Sequence, residues 1–132
     1  MSCRIHIKAI EAKDVLRMDT LGNSDPFLRF QLKGKPESAV KTSVVYSTLN
    51  PVWNQELEII SEDYNSDILE VCMFDEDVKK DDQMMNEIEI PLRDHKIGDH
   101  FVFNDKIKLR KKVAGNLHFE LDFLSVSETE TH

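Results

Sequence analysis

Apolar residues in this chain recur at every second position, segment after segment. Cys3, Ile5, Ile7 and Ala9 alternate with Arg4, His6 and Lys8, and Leu117, Phe119, Leu121 and Phe123 alternate with His118, Glu120 and Asp122. The same pattern runs through Leu28-Phe30-Leu32, Val40-Thr42-Val44, Leu57-Ile59, Leu69-Val71-Met73, Ile88-Ile90-Leu92 and Ile107-Leu109. A period of two with one apolar side means a strand buried on one face, because successive side chains leave a strand in opposite directions. No segment sustains a helical period. Eight strands are expected, roughly residues 3–10, 26–32, 39–46, 54–60, 67–75, 86–91, 101–109 and 116–124, with turn formers between them. Strands with one apolar face bury it most simply as two antiparallel sheets packed face to face, so the chain reads as an all-β, eight-stranded antiparallel β-sandwich.

The 132 residues suffice for one such domain, expected over residues 1–124, with "SVSETETH" (125–132) as a flexible C-terminal tail that has little to bury. A hydrophobic content of 40% with 32% charged residues suits a soluble globular protein. No apolar run approaches the ~20 residues of a membrane span, and Met1 leads straight into a strand pattern, so neither a signal peptide nor an anchor is expected. A cytoplasmic protein, peripheral to membranes at most, is the corresponding expectation. Cys3 and Cys72 both fall in alternating segments and read as buried free thiols. The net charge of −8 argues against nucleic acid as a partner.

Two loops carry more carboxylates than turn chemistry requires. In "RMDTLGNSDPF" (17–27), Asp19 and Asp25 flank Gly22, Asn23 and Ser24; in "FDEDVKKDDQMM" (74–85) stand Asp75, Glu76, Asp77, Asp81 and Asp82. The second is not a helix-flanked EF-hand loop: strands border it, and Lys80 occupies the position of the turn glycine. Loops of a sandwich gather at its two ends. If these two share an end, five carboxylates converge, and a pair ~5 Å apart repels by roughly 3 kcal/mol at an effective dielectric near 20. A cation relieves that. Hard oxygen donors on irregular loops suit Ca²⁺, and the cluster contains no His or Cys to favour zinc.

"MDTLGNSDPF", "STLNPVWNQE" (47–56) and "FDEDVKKDD", in this order and spacing, resemble the C2 domain family over nearly the whole chain, from Cys3 to Phe123. The resemblance implies a sandwich whose loops at one end bind Ca²⁺ and then phospholipid headgroups. Asp19 and Asp25 match the first-loop ligands of the family, and Asp75 and Asp77 match the third-loop pair. For a fifth ligand Asp82 is the better match and Asp81 stays open; the backbone carbonyls of Met18 and Glu76 match further ligating positions. Thr20, Leu21 and Val78 fall at loop tips that would contact a bilayer. "GNLHFELDF" (115–123) resembles a strand that some C2 domains place first and others last; here it comes last, implying the phospholipase-like type II order.

Arg29 and Lys41 match two positions of a basic phosphoinositide site on a sheet face, while Gln31, Ser43 and Phe74 replace other residues expected there. Trp53 reads as core, with Asn50, Pro51 and Asn54 setting the turn and strand entry. Lys106, Lys108, Arg110, Lys111 and Lys112 read as a solvated hairpin edge. The function implied is a non-catalytic, calcium-dependent module for anionic phospholipid membranes; the alternative is a calcium-independent C2 protein-interaction module with an unknown protein partner. No His, Lys or Ser motif accompanies the carboxylates as nucleophile or base, so an enzyme is not expected.

Overall fold

The computed structural model describes residues 1–18 and 22–126. Among these the chain forms nine strands and one short 3₁₀ turn: β1 (Cys3–Lys13), β2 (Pro26–Leu32), β3 (Lys35–Lys41), β4 (Val52–Ser61), β5 (Ile68–Asp75), β6 (Asp82–Gln83), β7 (Ile88–Pro91), the 3₁₀ turn (Leu92–Asp94), β8 (His100–Leu109) and β9 (Lys112–Leu124). All pairings are antiparallel. One sheet has the order β4-β1-β9-β8; in the other, β3 pairs β2, β2 pairs β5, and β5 pairs β6 and β7 along different parts of its length.

The alternating residues meet between the sheets. Ile5, Ile7, Ala9, Leu117, Phe119, Leu121 and Phe123 of one sheet are fully buried, as are Leu28, Phe30, Leu69, Val71 and Met73 of the other. Phe30 and Phe119 join the two layers edge to face with centroids 5.6 Å apart, and Phe103 stacks on Phe119 at 5.1 Å. Aromatic pairs in these geometries add to what area burial alone contributes. Cys3 and Cys72 are buried free thiols, and burial pushes the Cys72 thiol up to about 12.

The third strand differs from its expected span of 39–46. Gly34, at φ 75°, closes a tight turn directly after β2, so pairing with β2 starts at Lys35. It stops at Lys41 because the next β2 amide, Leu28 N–H, donates to the Thr42 side-chain Oγ1 at 2.9 Å instead of to a backbone carbonyl. Thr42 and Val45 still donate single backbone bonds to Leu28 and Pro26. The alternation at Val40-Thr42-Val44 therefore extends past the regular ladder. The ninth strand, β6, is a two-residue pairing of Asp82 and Gln83 with Asp75 and Phe74 inside the expected acidic loop.

Register decides which loops meet. Lys13, at the end of β1, pairs with Asn116 near the start of β9, and Pro26 at the start of β2 pairs with Asp75 at the end of β5. Hence the β1–β2 connection, the β3–β4 connection, the segment after β5 and the β8–β9 hairpin all lie at one end of the sandwich. Gly115 permits the close approach there: a Cβ would stand 2.7 Å from the Lys13 carbonyl oxygen, and its φ is 122°.

Candidate functional site

Asp75 is the last residue of β5 and only 2% exposed. Its Oδ1 accepts the backbone N–H of Asp25 at 2.8 Å, while Glu76 N–H donates to the Asp25 carbonyl at 3.0 Å. These two bonds clamp the two acidic loops together across 50 residues of sequence. A carboxylate is held this firmly because a charge-assisted acceptor bonds an amide about twice as strongly as a neutral one.

Three other carboxylates accept backbone amides. Asp25 Oδ1 accepts from Ser47 N–H at 2.7 Å, Asp81 Oδ1 from Asp77 N–H at 3.1 Å, and Asp77 Oδ1 from Lys79 N–H at 3.3 Å. Asp25 and Asp81 are half-buried; Asp77 and Asp82 are exposed. Met18 donates its N–H to Ser24 Oγ at 3.0 Å, and that hydroxyl donates to the Leu16 carbonyl at 2.8 Å. Ser24, completely buried, thus shapes the first loop from within. Val78 projects fully into solvent from the tip of the segment after β5. Asp19, Thr20 and Leu21 lie outside the described residues. Among those described, no three His, Cys, Asp or Glu side chains converge closely enough to form a metal site by themselves.

The β3–β4 connection, passed over in the sequence as a source of site residues, braces both acidic loops. Ser47 bonds Asp25, and Tyr46 donates its hydroxyl to Glu76 Oε1 at 3.0 Å. That hydrogen bond, with the negative charge of Glu76, raises the Tyr46 hydroxyl above its ordinary pKa. Nothing in the residue types flags Tyr46 or Ser47, since only the fold sets them beside residues 25 and 76. The "TLNPVWN" residues act as expected of turn and core. Asn50 Oδ1 accepts Asp14 N–H at 3.0 Å, Pro51 O accepts Ala12 N–H at 2.9 Å, and Trp53 is buried with its indole N–H directed at Pro26 O, 3.3 Å away.

Arg29 and Lys41 do come together on the outer face of β2 and β3, paired in register. They are tied to aromatic rings: the Arg29 guanidinium lies 4.7 Å from the Phe74 centroid, Lys41 Nζ lies 5.7 Å from that of Phe27, and the two rings stack at 5.7 Å. The recess they line with Asp81 measures about 50 Å³. A carboxylate in its wall opposes an anionic occupant.

The C2 domain family model matches residues 3–119. This chain belongs to the C2 domain family. It is 32% identical to Synaptotagmin-3 of Arabidopsis thaliana over 94% of its own length and 25% of that protein. It is also 32% identical to Multiple C2 and transmembrane domain-containing protein 2 of Mus musculus, over 91% of this chain and 13% of that one. The chain therefore spans about a quarter or less of these relatives. Among solved structures it resembles a single C2 domain of plant Extended Synaptotagmin 1, with a TM-score of 0.80 and 27% identity, covering 95% of this chain and 96% of that one. The calcium-bound tandem C2 domains of Extended-Synaptotagmin 2 align at a TM-score of 0.75 and 26% identity, over 91% of this C2 domain and 45% of that chain. No helix among the described residues is long and apolar enough to cross a membrane.

Proposed function

We propose that this C2 domain is a non-catalytic, calcium-dependent module that docks on anionic phospholipid. The observation that carries the proposal is the Asp75–Asp25 clamp: a buried carboxylate, bonded to the amide of a second aspartate, where two acidic loops of distant sequence converge. The side chains proposed as ligands offer carboxylate oxygens with no His or Cys among them, which suits Ca²⁺ and disfavours zinc. Asp19, Asp25, Asp75, Asp77 and one of Asp81 or Asp82 would hold the ion, with the Met18 and Glu76 carbonyls. That the aligned Extended-Synaptotagmin 2 domains are calcium bound supports calcium as the ion. The type II strand order belongs to the proposal and is supported by the C-terminal β9 pairing with β1.

Calcium would supply positive charge to a loop end that otherwise repels an anionic surface. Five carboxylates carry −5; two divalent ions change that to −1 and three to +1. An anionic leaflet attracts each unit of nearby positive charge by about 1 kcal/mol, and screening over ~8 Å makes this end matter more than distant acidic residues. Thr20, Leu21 and Val78 would make the bilayer contact, with insertion shallow because only two of the three are apolar. Arg29 and Lys41 are a secondary lipid contact at most, since their cations already rest on Phe74 and Phe27.

Sedimentation with phosphatidylserine-containing vesicles tests the proposal. Binding should require calcium, reverse with chelator and weaken at high salt. Equal binding in calcium and chelator, or none in either, refutes it.

A further inference from the structure

The basic string Lys106, Lys108, Arg110, Lys111 and Lys112 reads in the sequence as a solvated edge, but its position in the fold assigns it a different task. The β8–β9 hairpin that carries it turns at the same end of the sandwich as the acidic loops. Asn86, which follows the acidic segment, fixes it there: Arg110 N–H donates to Asn86 Oδ1 at 2.8 Å, Asn86 Nδ2 donates to the Arg110 carbonyl at 3.0 Å, and Asn86 N–H donates to the Lys108 carbonyl at 2.6 Å. A cleft of about 370 Å³ separates the two features, with Met18, Asp82 and Gln83 on one side and Leu109 and Arg110 on the other.

All five basic side chains are exposed, and among the described residues none is paired with a carboxylate. Lys33 and Lys35 of the opposite end, by contrast, are paired with Glu89 and Asp67. Val113, 51% exposed, adds an apolar side chain beside Lys108, its partner in register.

We propose that this hairpin is a second membrane contact: a constitutively basic arm that lies against the phosphates of an anionic bilayer beside the calcium-dependent loops. The proposal rests on the membrane-docking function above, because it is that function that turns this end of the sandwich toward lipid. Unlike the acidic loops, the hairpin carries its charge with or without calcium. Its cations are therefore expected to set the strength and salt dependence of docking, while the loops set its calcium requirement. Asp82 and Arg110 line opposite sides of the cleft, so a zwitterionic headgroup entering it would meet a cation at its phosphate end.

The test compares wild type with Lys108→Gln/Lys111→Gln/Lys112→Gln, which leaves the Asn86–Arg110 bonds intact. Both are titrated with phosphatidylcholine vesicles containing or lacking phosphatidylserine, in calcium and in chelator. The variant should keep the wild-type rise in melting temperature on adding calcium without lipid. It should bind phosphatidylserine vesicles in calcium about a hundredfold more weakly, at roughly fivefold for each of the three cations removed, ~1 kcal/mol each. Its residual binding should also depend less on salt. Wild-type and variant affinities that agree within about twofold, while both require calcium, overturn the hairpin proposal and leave the docking function standing. Binding by wild type in chelator that the variant loses overturns the calcium switch and upholds the hairpin. No binding by wild type in any condition overturns both. A second measurement reads geometry: a donor dye on Lys111→Cys should transfer energy to an acceptor lipid more efficiently than one on Glu62→Cys, which lies just beyond Ser61 at the opposite end. Equal transfer, or more from position 62, also overturns the proposal.

Discussion

Replacing Asp25 and Asp75 together with asparagine should separate the acidic clamp's role in folding from the calcium binding proposed for it. Asparagine keeps a carbonyl oxygen where each aspartate accepts an amide, Ser47 N–H at 2.7 Å and Asp25 N–H at 2.8 Å. What is lost is charge assistance, about 1 kcal/mol per bond. What is gained is relief of repulsion between neighbouring carboxylates, roughly 1–3 kcal/mol depending on how much solvent screens the pair. The two nearly cancel, so calcium-free stability should move by no more than about 2 kcal/mol. The calcium response behaves differently. A ligand at about one hundred times its dissociation constant stabilises the native state by ~2.7 kcal/mol, which for a domain of this size raises the melting temperature by roughly 10 °C. The double variant should lose nearly all of that rise while still unfolding cooperatively. Thermal melts with and without calcium, followed by circular dichroism, read both quantities. A variant that keeps a wild-type calcium shift places the ion elsewhere, and one that fails to fold shows that the charges themselves hold the loops.

Calcium titrations should give a higher affinity with phosphatidylserine vesicles present than without, by the same factor that calcium tightens vesicle binding, as linkage requires; identical calcium affinities in the two conditions would refute the coupling. Phe119→Ala, which empties a fully buried site touching Phe30 and Phe103, should cost about 3–5 kcal/mol in denaturant unfolding; a loss below about 1 kcal/mol would contradict the assigned core. Burial pushes the Asp67 carboxyl up, but bonds from Lys35 Nζ at 2.7 Å and Ser61 Oγ at 2.6 Å outweigh it, and the group sits below its ordinary 3.8. Its contribution is therefore complete above about pH 4 and lost as pH falls through the lowered value, so Asp67→Asn should flatten the acid limb of a stability–pH profile. His100 has the opposite sign: its hydrogen bond to Asp122 at 2.7 Å raises it above 6.5, so its contribution is full below that pH and disappears as pH rises through the raised value. A His100→Gln variant should lose this alkaline-side slope, and an unchanged profile would show that the pair does not couple to folding.

The strands were legible in the sequence because period-two alternation reports burial residue by residue, and each half-buried strand needs only its own neighbours to display it. Ile5, Phe119 and Leu121 announce their face without any knowledge of their partners. The loop aspartates were legible for a different reason: carboxylates that turn chemistry does not require, in the order and spacing of a family, stand out from their surroundings. Pairing was not legible. Where β3 stops depends on the Thr42 hydroxyl displacing a backbone carbonyl at Leu28 N–H, a contest between two acceptors that alternation cannot see. The two-residue β6 likewise exists only because Asp75 and Phe74 extend past β7 to receive it. Tyr46 and Ser47 are ordinary loop residues until register sets them against Glu76 and Asp25. The basic hairpin makes the same point about function. Its charge is local and readable in one line of sequence, but whether that charge faces solvent or a membrane depends on which end of the sandwich the hairpin turns at. Antiparallel pairing of Lys13 with Asn116 decides that, through hydrogen bonds between residues about a hundred positions apart.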